Sequence, residues 1–151
     1  VTFNKISIFA GVLLISAAVI FVDGQSWSEF YNKHINAGMT DGQCTDVMRA
    51  RRIRKPCTGG CKPFNTFITG NVDAVQAVCG EGGAPYGNGY VISYDYFKIV
   101  DCYLVHQNPP AVPPNCYYRG DESERRIIVR CENGEPVHFH GKGNIYCSYS
   151  A

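Results

Sequence analysis

The sequence predicts an α+β domain in which three short helices pack on a bent antiparallel sheet and disulfides hold the chain together. Two observations give the class: segments with helical periodicity come first, and aromatic, β-branched segments follow them. The third is an even number of cysteines, eight, which we expect a small domain to use as staples. Helices followed by strands, rather than a regular alternation of the two, are typical of α+β proteins.

The first predicted helix is SWSEFYNKHI. Ser26 precedes Glu29 by three residues, which is the spacing of a capping box. Phe30 and His34 then lie four residues apart, on the same side of the helix as Trp27.

Two further segments have helical periodicity. DGQCTDVMRARRI offers Asp41 as a cap and places Cys44 and Met48 four residues apart. NVDAVQAVC directs Val75 and Val78 toward the core.

The rest of the chain is predicted to form loops and strands. GEGGAPYGNG is a loop by composition, and YVISYDYFKIVDCYLV, RRIIVRC and PVHFH are strands. The acidic residues Asp121, Glu122 and Glu124 are predicted to lie at the tip of a hairpin.

The N-terminal segment indicates export. Lys5 precedes an apolar stretch at residues 6–22, and small residues follow near Gly24. This order predicts a signal peptide at residues 1–24 and a secreted domain at residues 25–151. A transmembrane anchor is the alternative, because the stretch approaches the length of a bilayer span. We expect no stable membrane insertion after cleavage, because no second apolar segment follows.

The eight cysteines all lie in the predicted domain, and an exported domain with an even number favours four disulfides. The alternative is a metal site built from Cys57, Cys61, His138 and His140, but a close second pair of thiols is missing from the pattern. We therefore expect no metal and no cofactor. The cysteines are Cys44, Cys57, Cys61, Cys79, Cys102, Cys116, Cys131 and Cys147.

The positive charge is concentrated in one place. The formal net charge is only +1, which by itself predicts no nucleic-acid binding. Residues 49–55, RARRIRK, nevertheless carry five cationic side chains in seven positions. A charge run is usually a solvated face, so a functional patch has to be weighed against that alternative. Its members are Arg49, Arg51, Arg52, Arg54 and Lys55.

Three separated motifs resemble the pancreatic-type ribonuclease superfamily, and angiogenin-type members in particular. FYNKHI is similar to the N-terminal helix of the family, CKPFNTFITGN to its Cys-Lys-x-x-Asn-Thr-Phe signature, and CENGEPVHFH to its C-terminal strand. The resemblance covers nearly all of residues 25–151 and implies a pancreatic ribonuclease-like fold.

The resemblance implies that RNA is cleaved to a 2′,3′-cyclic phosphate without a metal. His34 would be the general base on the ribose 2′-hydroxyl, and His138 the general acid toward the departing 5′-oxygen. Lys62 would stabilise the negative charge that builds on the phosphoryl group. His140 stands where most relatives have an aspartate that orients the catalytic imidazole, and we expect it to modulate His138.

The resemblance also assigns a substrate-binding set. Thr66 would bind a pyrimidine through a hydroxyl that can donate or accept, and Asp101 would tune that hydroxyl. Gly141 stands where angiogenin has an obstructing glutamine, which implies an open pocket. The remaining residues of the set are Lys33, Asn65, Glu132 and Phe139.

The family pairing implies the disulfides Cys44–Cys102, Cys61–Cys116 and Cys79–Cys131. Cys57 and Cys147 are left over, so we expect them to pair. The small extra disulfide loop of the pancreatic enzymes is missing, as in angiogenin, and residues 81–88 are expected to form an open loop.

The main hypothesis is a secreted, monomeric endoribonuclease that cleaves RNA 3′ of pyrimidines, with angiogenic or host-defence activity compatible with it. The alternative is a signalling or antimicrobial protein that acts through its basic patch and in which catalysis is vestigial. The resemblance further implies a ribonuclease inhibitor or a cell-surface receptor as partners beside RNA, and nuclear or nucleolar uptake.

Overall fold

The computed structural model describes residues 26–141. The predicted signal peptide at residues 1–24 therefore lies outside the described residues, and so does the boundary of the predicted domain. Among the residues described, none of the helices is both long and apolar enough to span a bilayer. The helices are α1 (Trp27–His34), α2 (Cys44–Ala50), which follows a 3₁₀ turn (Asp41–Gln43), and α3 (Val72–Ala77). The strands are β1 (Phe64–Ile68), β2 (Gly83–Gly87), β3 (Tyr90–Ser93), β4 (Phe97–Leu104), β5 (Tyr118–Arg125), β6 (Ile128–Glu132) and β7 (Glu135–Phe139).

The α+β class is confirmed, and the antiparallel strands divide between two sheets. One has the order β1-β4-β5 and the other the order β2-β3-β6-β7. Helix α1 contacts both sheets, through β1 and through β7. Side chains from the end of α1, from β1 and from β7 can therefore meet.

Local signals explain where the helices begin. The Ser26 hydroxyl accepts a hydrogen bond from the Glu29 backbone N–H, as the capping-box spacing predicts, and the Asn71 side chain caps α3 in the same way. The C-terminus of α1 is capped differently, because the guanidinium of Arg51 donates to the carbonyls of Tyr31, Asn32 and Ile35.

Two apolar clusters pack on opposite faces of the β1-β4-β5 sheet. Neighbouring residues of one strand point to opposite faces, so Ile68 joins the first cluster and Phe67 the second. The first contains Phe30, Ile35, Val75, Val78, Ile99, Ile127, Val129 and Phe139, and the second Met39, Cys44, Met48, Val100, Cys102 and Tyr118. The apolar positions expected in the three helices are thus in the core.

Three predicted disulfides are confirmed: Cys44–Cys102, Cys61–Cys116 and Cys79–Cys131, with Cα–Cα distances of 5.6, 5.6 and 5.8 Å. The fourth predicted bond, Cys57–Cys147, includes a residue outside the described part of the chain and stays a prediction. The alternative metal site is excluded in the form considered, because Cys57 and Cys61 are both disulfide-bonded and cannot serve as thiolate ligands.

Two local predictions are wrong. The segment expected to be an open loop contains β2, which pairs with β3. Gly83 makes this possible, because a Cβ atom there would collide with the backbone oxygen of Val78, and only glycine permits that approach. The acidic residues expected at a hairpin tip lie inside β5, a strand that pairs with β4.

Candidate active site

His34 is the last residue of α1, and two contacts fix its ring. Its Nδ1 lies 2.9 Å from the backbone oxygen of Thr66, and its ring stacks on Phe139 with centroids 5.1 Å apart. A carbonyl oxygen only accepts, so Nδ1 carries the hydrogen of this bond. In the neutral ring, Nε2 therefore holds the lone pair that a general base needs.

The surroundings of His34 favour that neutral form. Burial lowers the pKa of His34, and the nearby charge of Lys62 lowers it further. The hydrogen bond to Thr66 acts in the opposite direction, and the charges of Lys33 and His138 again lower the pKa. The side chain keeps partial exposure, so substrate can still reach it.

Lys62 is held beside this ring through Asn65. The Lys62 ammonium donates to Oδ1 of Asn65 at 2.9 Å, and Nδ2 of Asn65 donates to the backbone oxygen of Lys33 at 2.7 Å. Asn65 is only 1% exposed, so both of these bonds replace contacts with water. Burial lowers the pKa of Lys62 to about 8, and the charge of Lys33 contributes. Lys62 is thus a cation at neutral pH with a fixed position.

His138 approaches from β7, where it pairs in register with Arg130 of β6. Burial lowers the pKa of His138, as do the charges of Arg130, His140, Lys33 and Lys62. The effect makes His138 a stronger acid while reducing its protonated fraction at neutral pH. A bound phosphodiester, being an anion, would shift its pKa back upward.

His140 lies outside this cluster. It is exposed, and its ring meets Tyr90 edge to face with centroids 4.8 Å apart. Residues 138 and 140 point to the same face of the sheet, so the charge of His140 acts on His138. The charge of His140 is not among those that act on His34. The expected modulating position is consistent with this placement.

Thr66 and Asp101 form the predicted pair and have a third member. The Thr66 hydroxyl donates to Oδ1 of Asp101 at 2.7 Å. Arg125 binds both oxygens of the same carboxylate, at 2.7 Å to Oδ2 and 2.9 Å to Oδ1. Register pairing explains the first contact, because Thr66 on β1 faces Asp101 on β4.

A cavity of about 410 Å³ opens beside this triad. Asp101, Arg125, Phe139 and Gly141 are among the residues that line it. Phe139 is therefore shared between the cavity and the ring of His34. The cavity wall is completed by Phe64, Tyr103, Arg126, Ile128 and His140.

The other predicted residues stand apart from this cluster or act differently. Glu132 is exposed at the end of β6, in register with Glu135. In the basic run, Arg49 lies over the ring of Tyr117, and Arg51 is occupied by the carbonyls at the end of α1. Arg52 and Arg54 are exposed and Lys55 is half-buried, so the cationic surface is smaller than the sequence predicts.

Two contributors were missed by the sequence reasoning. Arg125 carried no signal, since 24 positions separate it from Asp101. Arg51 is predicted to belong to the basic patch, but its guanidinium caps the carbonyls at the end of α1 instead. Only knowledge of the pairing between β4 and β5 could have indicated Arg125.

The fold and the site define a class of protein: a small disulfide-bonded α+β domain that gathers two imidazoles and a lysine near a cavity of about 410 Å³. A family model described as pancreatic ribonuclease matches residues 25–140. The chain is 40% identical to angiogenin of Chlorocebus aethiops over 121 residues, 78% of each chain. It is 37% identical to ribonuclease-like 3 of Danio rerio over 145 residues, 90% of this chain and 95% of the relative.

A solved structure, the X-ray structure of zebrafish RNase5, superposes with a TM-score of 0.70 at 34% sequence identity. The superposition covers 76% of this chain and 91% of the zebrafish chain. The chain belongs to the pancreatic ribonuclease family. It is a pancreatic-type ribonuclease with angiogenin-like relatives, as the sequence motifs indicated.

Proposed function

We propose that the protein is a secreted endoribonuclease that cleaves RNA on the 3′ side of pyrimidines by transphosphorylation. The observation that carries the proposal is the grouping of His34, Lys62 and His138, in which burial lowers the pKa of each group and the charge of Lys33 lowers each further. Cationic groups gathered against their own repulsion favour an anionic ligand, and perturbed pKa values cluster at functional sites. A phosphodiester supplies that anion.

The reaction follows from the protonation states. Neutral His34 takes the proton from the ribose 2′-hydroxyl, using the Nε2 lone pair that its bond to Thr66 leaves available. The 2′-oxygen forms a bond to phosphorus, and the bond to the 5′-oxygen breaks as His138 protonates that oxygen. Lys62 neutralises charge on the non-bridging oxygens. The products are a 2′,3′-cyclic phosphate and a free 5′-hydroxyl.

Pyrimidine selection is assigned to the cavity beside Thr66 and Asp101. The base would lie against Phe139, which lines this cavity together with Asp101, and the Thr66 hydroxyl bonded to Asp101 would meet the N3 edge of the base. Because a hydroxyl can either accept or donate a hydrogen bond, it can bind N3 of uracil or N3 of cytosine. Export is supported by the three disulfides, which persist in oxidising compartments.

The test uses four dinucleotides: UpA, CpA, ApA and the 2′-deoxy form of UpA. We expect a 2′,3′-cyclic phosphate, detected by phosphorus NMR, from the two pyrimidine substrates and none from the deoxy compound, which lacks the nucleophile. The His34→Ala protein, prepared in parallel, controls for contaminating nuclease. Cleavage of the deoxy dinucleotide, or equal cleavage of ApA, would contradict the proposal.

A second candidate function is polyanion binding through the exposed part of the basic run, with nuclear uptake and a cell-surface receptor as its biological context. It is favoured by the exposure of Arg52 and Arg54, which are not among the groups around His34. Fluorescence anisotropy with a DNA oligonucleotide, which the enzyme cannot cleave, tests it. Binding that is unchanged in Arg52→Gln/Arg54→Gln would contradict it.

A further inference from the structure

Arg125 makes a two-bond contact with the only carboxylate that touches Thr66 among the described residues. Its guanidinium donates to Oδ2 of Asp101 at 2.7 Å and to Oδ1 at 2.9 Å, and to the Ser123 hydroxyl at 3.2 Å. The Asp101 side chain is 11% exposed and that of Arg125 39%. Paired hydrogen bonds from a guanidinium fix a carboxylate in orientation as well as in charge.

This contact determines which way the Thr66 hydroxyl points. A charged carboxylate has no hydrogen to give, so the 2.7 Å bond between Thr66 and Asp101 requires the hydroxyl to donate. Because Asp101 lines the cavity, the hydroxyl bonded to it lies next to that cavity and keeps its lone pairs available. It is ready to accept a hydrogen bond there and must break its bond to Asp101 before it can donate one.

Uracil and cytosine differ at the atom that meets this hydroxyl. N3 of uracil carries a hydrogen and donates, whereas N3 of cytosine is an acceptor. An accepting Thr66 hydroxyl suits uracil, and cytosine requires the hydroxyl to turn around.

We propose that Arg125 is a specificity-determining residue that favours uracil over cytosine by holding Asp101 as the acceptor for Thr66. The inference rests on the proposed function, since it specifies the base that the same cavity prefers. Arg125 acts through Asp101 and is a positioning residue. Without its partner, a nearly buried carboxylate turns toward water, and this change frees the Thr66 hydroxyl to donate.

The experiment compares kcat/KM for UpA and CpA, which have the same leaving group, in the wild type and in Arg125→Met. We expect the UpA-to-CpA ratio to fall about three- to tenfold, the fold-change that corresponds to one net hydrogen bond. Arg125→Lys keeps the charge without the paired geometry and should lie between the two proteins. Arg119→Met is the matched control, because Arg119 lies on the same strand and pairs with the exposed Asp121 instead.

A double-mutant cycle separates this role from a general structural one. In the Asp101→Asn background, Arg125→Met should leave the ratio unchanged within twofold, since the residue it acts through is gone. A ratio that stays constant or rises in the single variant, or that falls equally when Asp101→Asn is already present, overturns the inference.

A binding measurement keeps the inference independent of turnover. Calorimetry should give a ratio of affinities for uridine 3′-phosphate over cytidine 3′-phosphate that falls by the same factor in Arg125→Met. A wild type that cleaves neither dinucleotide would overturn the proposed function, while this affinity ratio would still decide the role of Arg125. An unchanged affinity ratio would overturn that role.

Discussion

Gly141 forms a wall of the base cavity where a side chain has no room. A Cβ atom at this position would lie 2.9 Å from Cε1 and 3.2 Å from Cδ1 of Phe139. The distance of 2.9 Å is about 0.5 Å less than 3.4 Å, the shortest distance of ordinary van der Waals contact. Phe139 is 5% exposed and stacks on His34, so the ring cannot move without disturbing either the core or the imidazole of His34.

The expected magnitude follows from that shift. Since a misplacement of about 1 Å can cost ~10² in rate, a shift of half that size should lower kcat/KM about tenfold in Gly141→Ala. Overpacking should also destabilise the fold by about 1 kcal/mol, the lower end for such changes, because the chain at this position is not covered on all sides. Gly141→Gln adds an obstruction of the cavity and should lower kcat/KM further.

The assay is UpA cleavage in parallel with thermal unfolding. Gly42→Ala is the matched control, because no atom lies within 4 Å of its added methyl group. Gly141→Ala activity equal to that of Gly42→Ala would refute the contact argument. Gly141→Gln activity equal to the wild type, or above it, would refute the open-cavity argument.

Three further predictions concern pH, charge and stability. His140→Asp replaces a like charge near His138 with an opposite one, which raises the lowered pKa of His138. Because the general acid must be protonated, the alkaline limb of the pH–kcat/KM profile should move to higher pH. An alkaline limb that stays in place or moves to lower pH contradicts this. Arg52→Gln should weaken binding of a DNA oligonucleotide and flatten the salt dependence of that binding, while the unfolding temperature stays unchanged. Arg51→Gln should lower the unfolding temperature, because the cap on α1 is lost. The reverse pattern would show that the two arginines have each other's role. Serine at both positions of Cys57–Cys147 should destabilise the fold by at most ~4–5 kcal/mol without abolishing cleavage at low temperature, and peptide mapping that finds another pairing would contradict the bond.

Much of the fold was predictable because its signals are local. The cap at Ser26, the spacing of Phe30 and His34, and the alternation in the later strands each depend on a few neighbouring residues. The segment that contains β2 was misassigned for the opposite reason. Its glycines indicate a loop by composition. In the folded chain, however, residue 83 must be glycine, because a Cβ atom there would collide with the backbone oxygen of Val78.

The candidate site was predictable at the level of residue types and much less so at the level of contacts. Motifs singled out His34, Lys62 and His138, and the structure brings all three into electrostatic contact. The residue that holds the predicted pair Thr66 and Asp101 comes from a distant position. Arg125 reaches Asp101 only because β4 and β5 pair, and that register cannot be read from either strand alone.

The basic run illustrates a further limit. Five cations in seven positions indicate one surface, but the chain changes direction there, with Arg52 at a φ of 53°. Arg51 is turned inward onto α1, while Arg52 stays exposed. Side-chain direction after a helix depends on the turn geometry, which composition does not encode.

The central claim is that His138, and not its neighbour on the same strand face, is the general acid. The most direct test is kcat/KM for UpA in His138→Ala and in His140→Ala, measured at the pH optimum of each protein. We predict a loss of at least ~10² for His138→Ala, the usual contribution of a positioned acid. His140→Ala should lose less than tenfold, because that ring packs on Tyr90 and its charge is not among those that act on His34. Equal losses in the two variants would contradict the assignment.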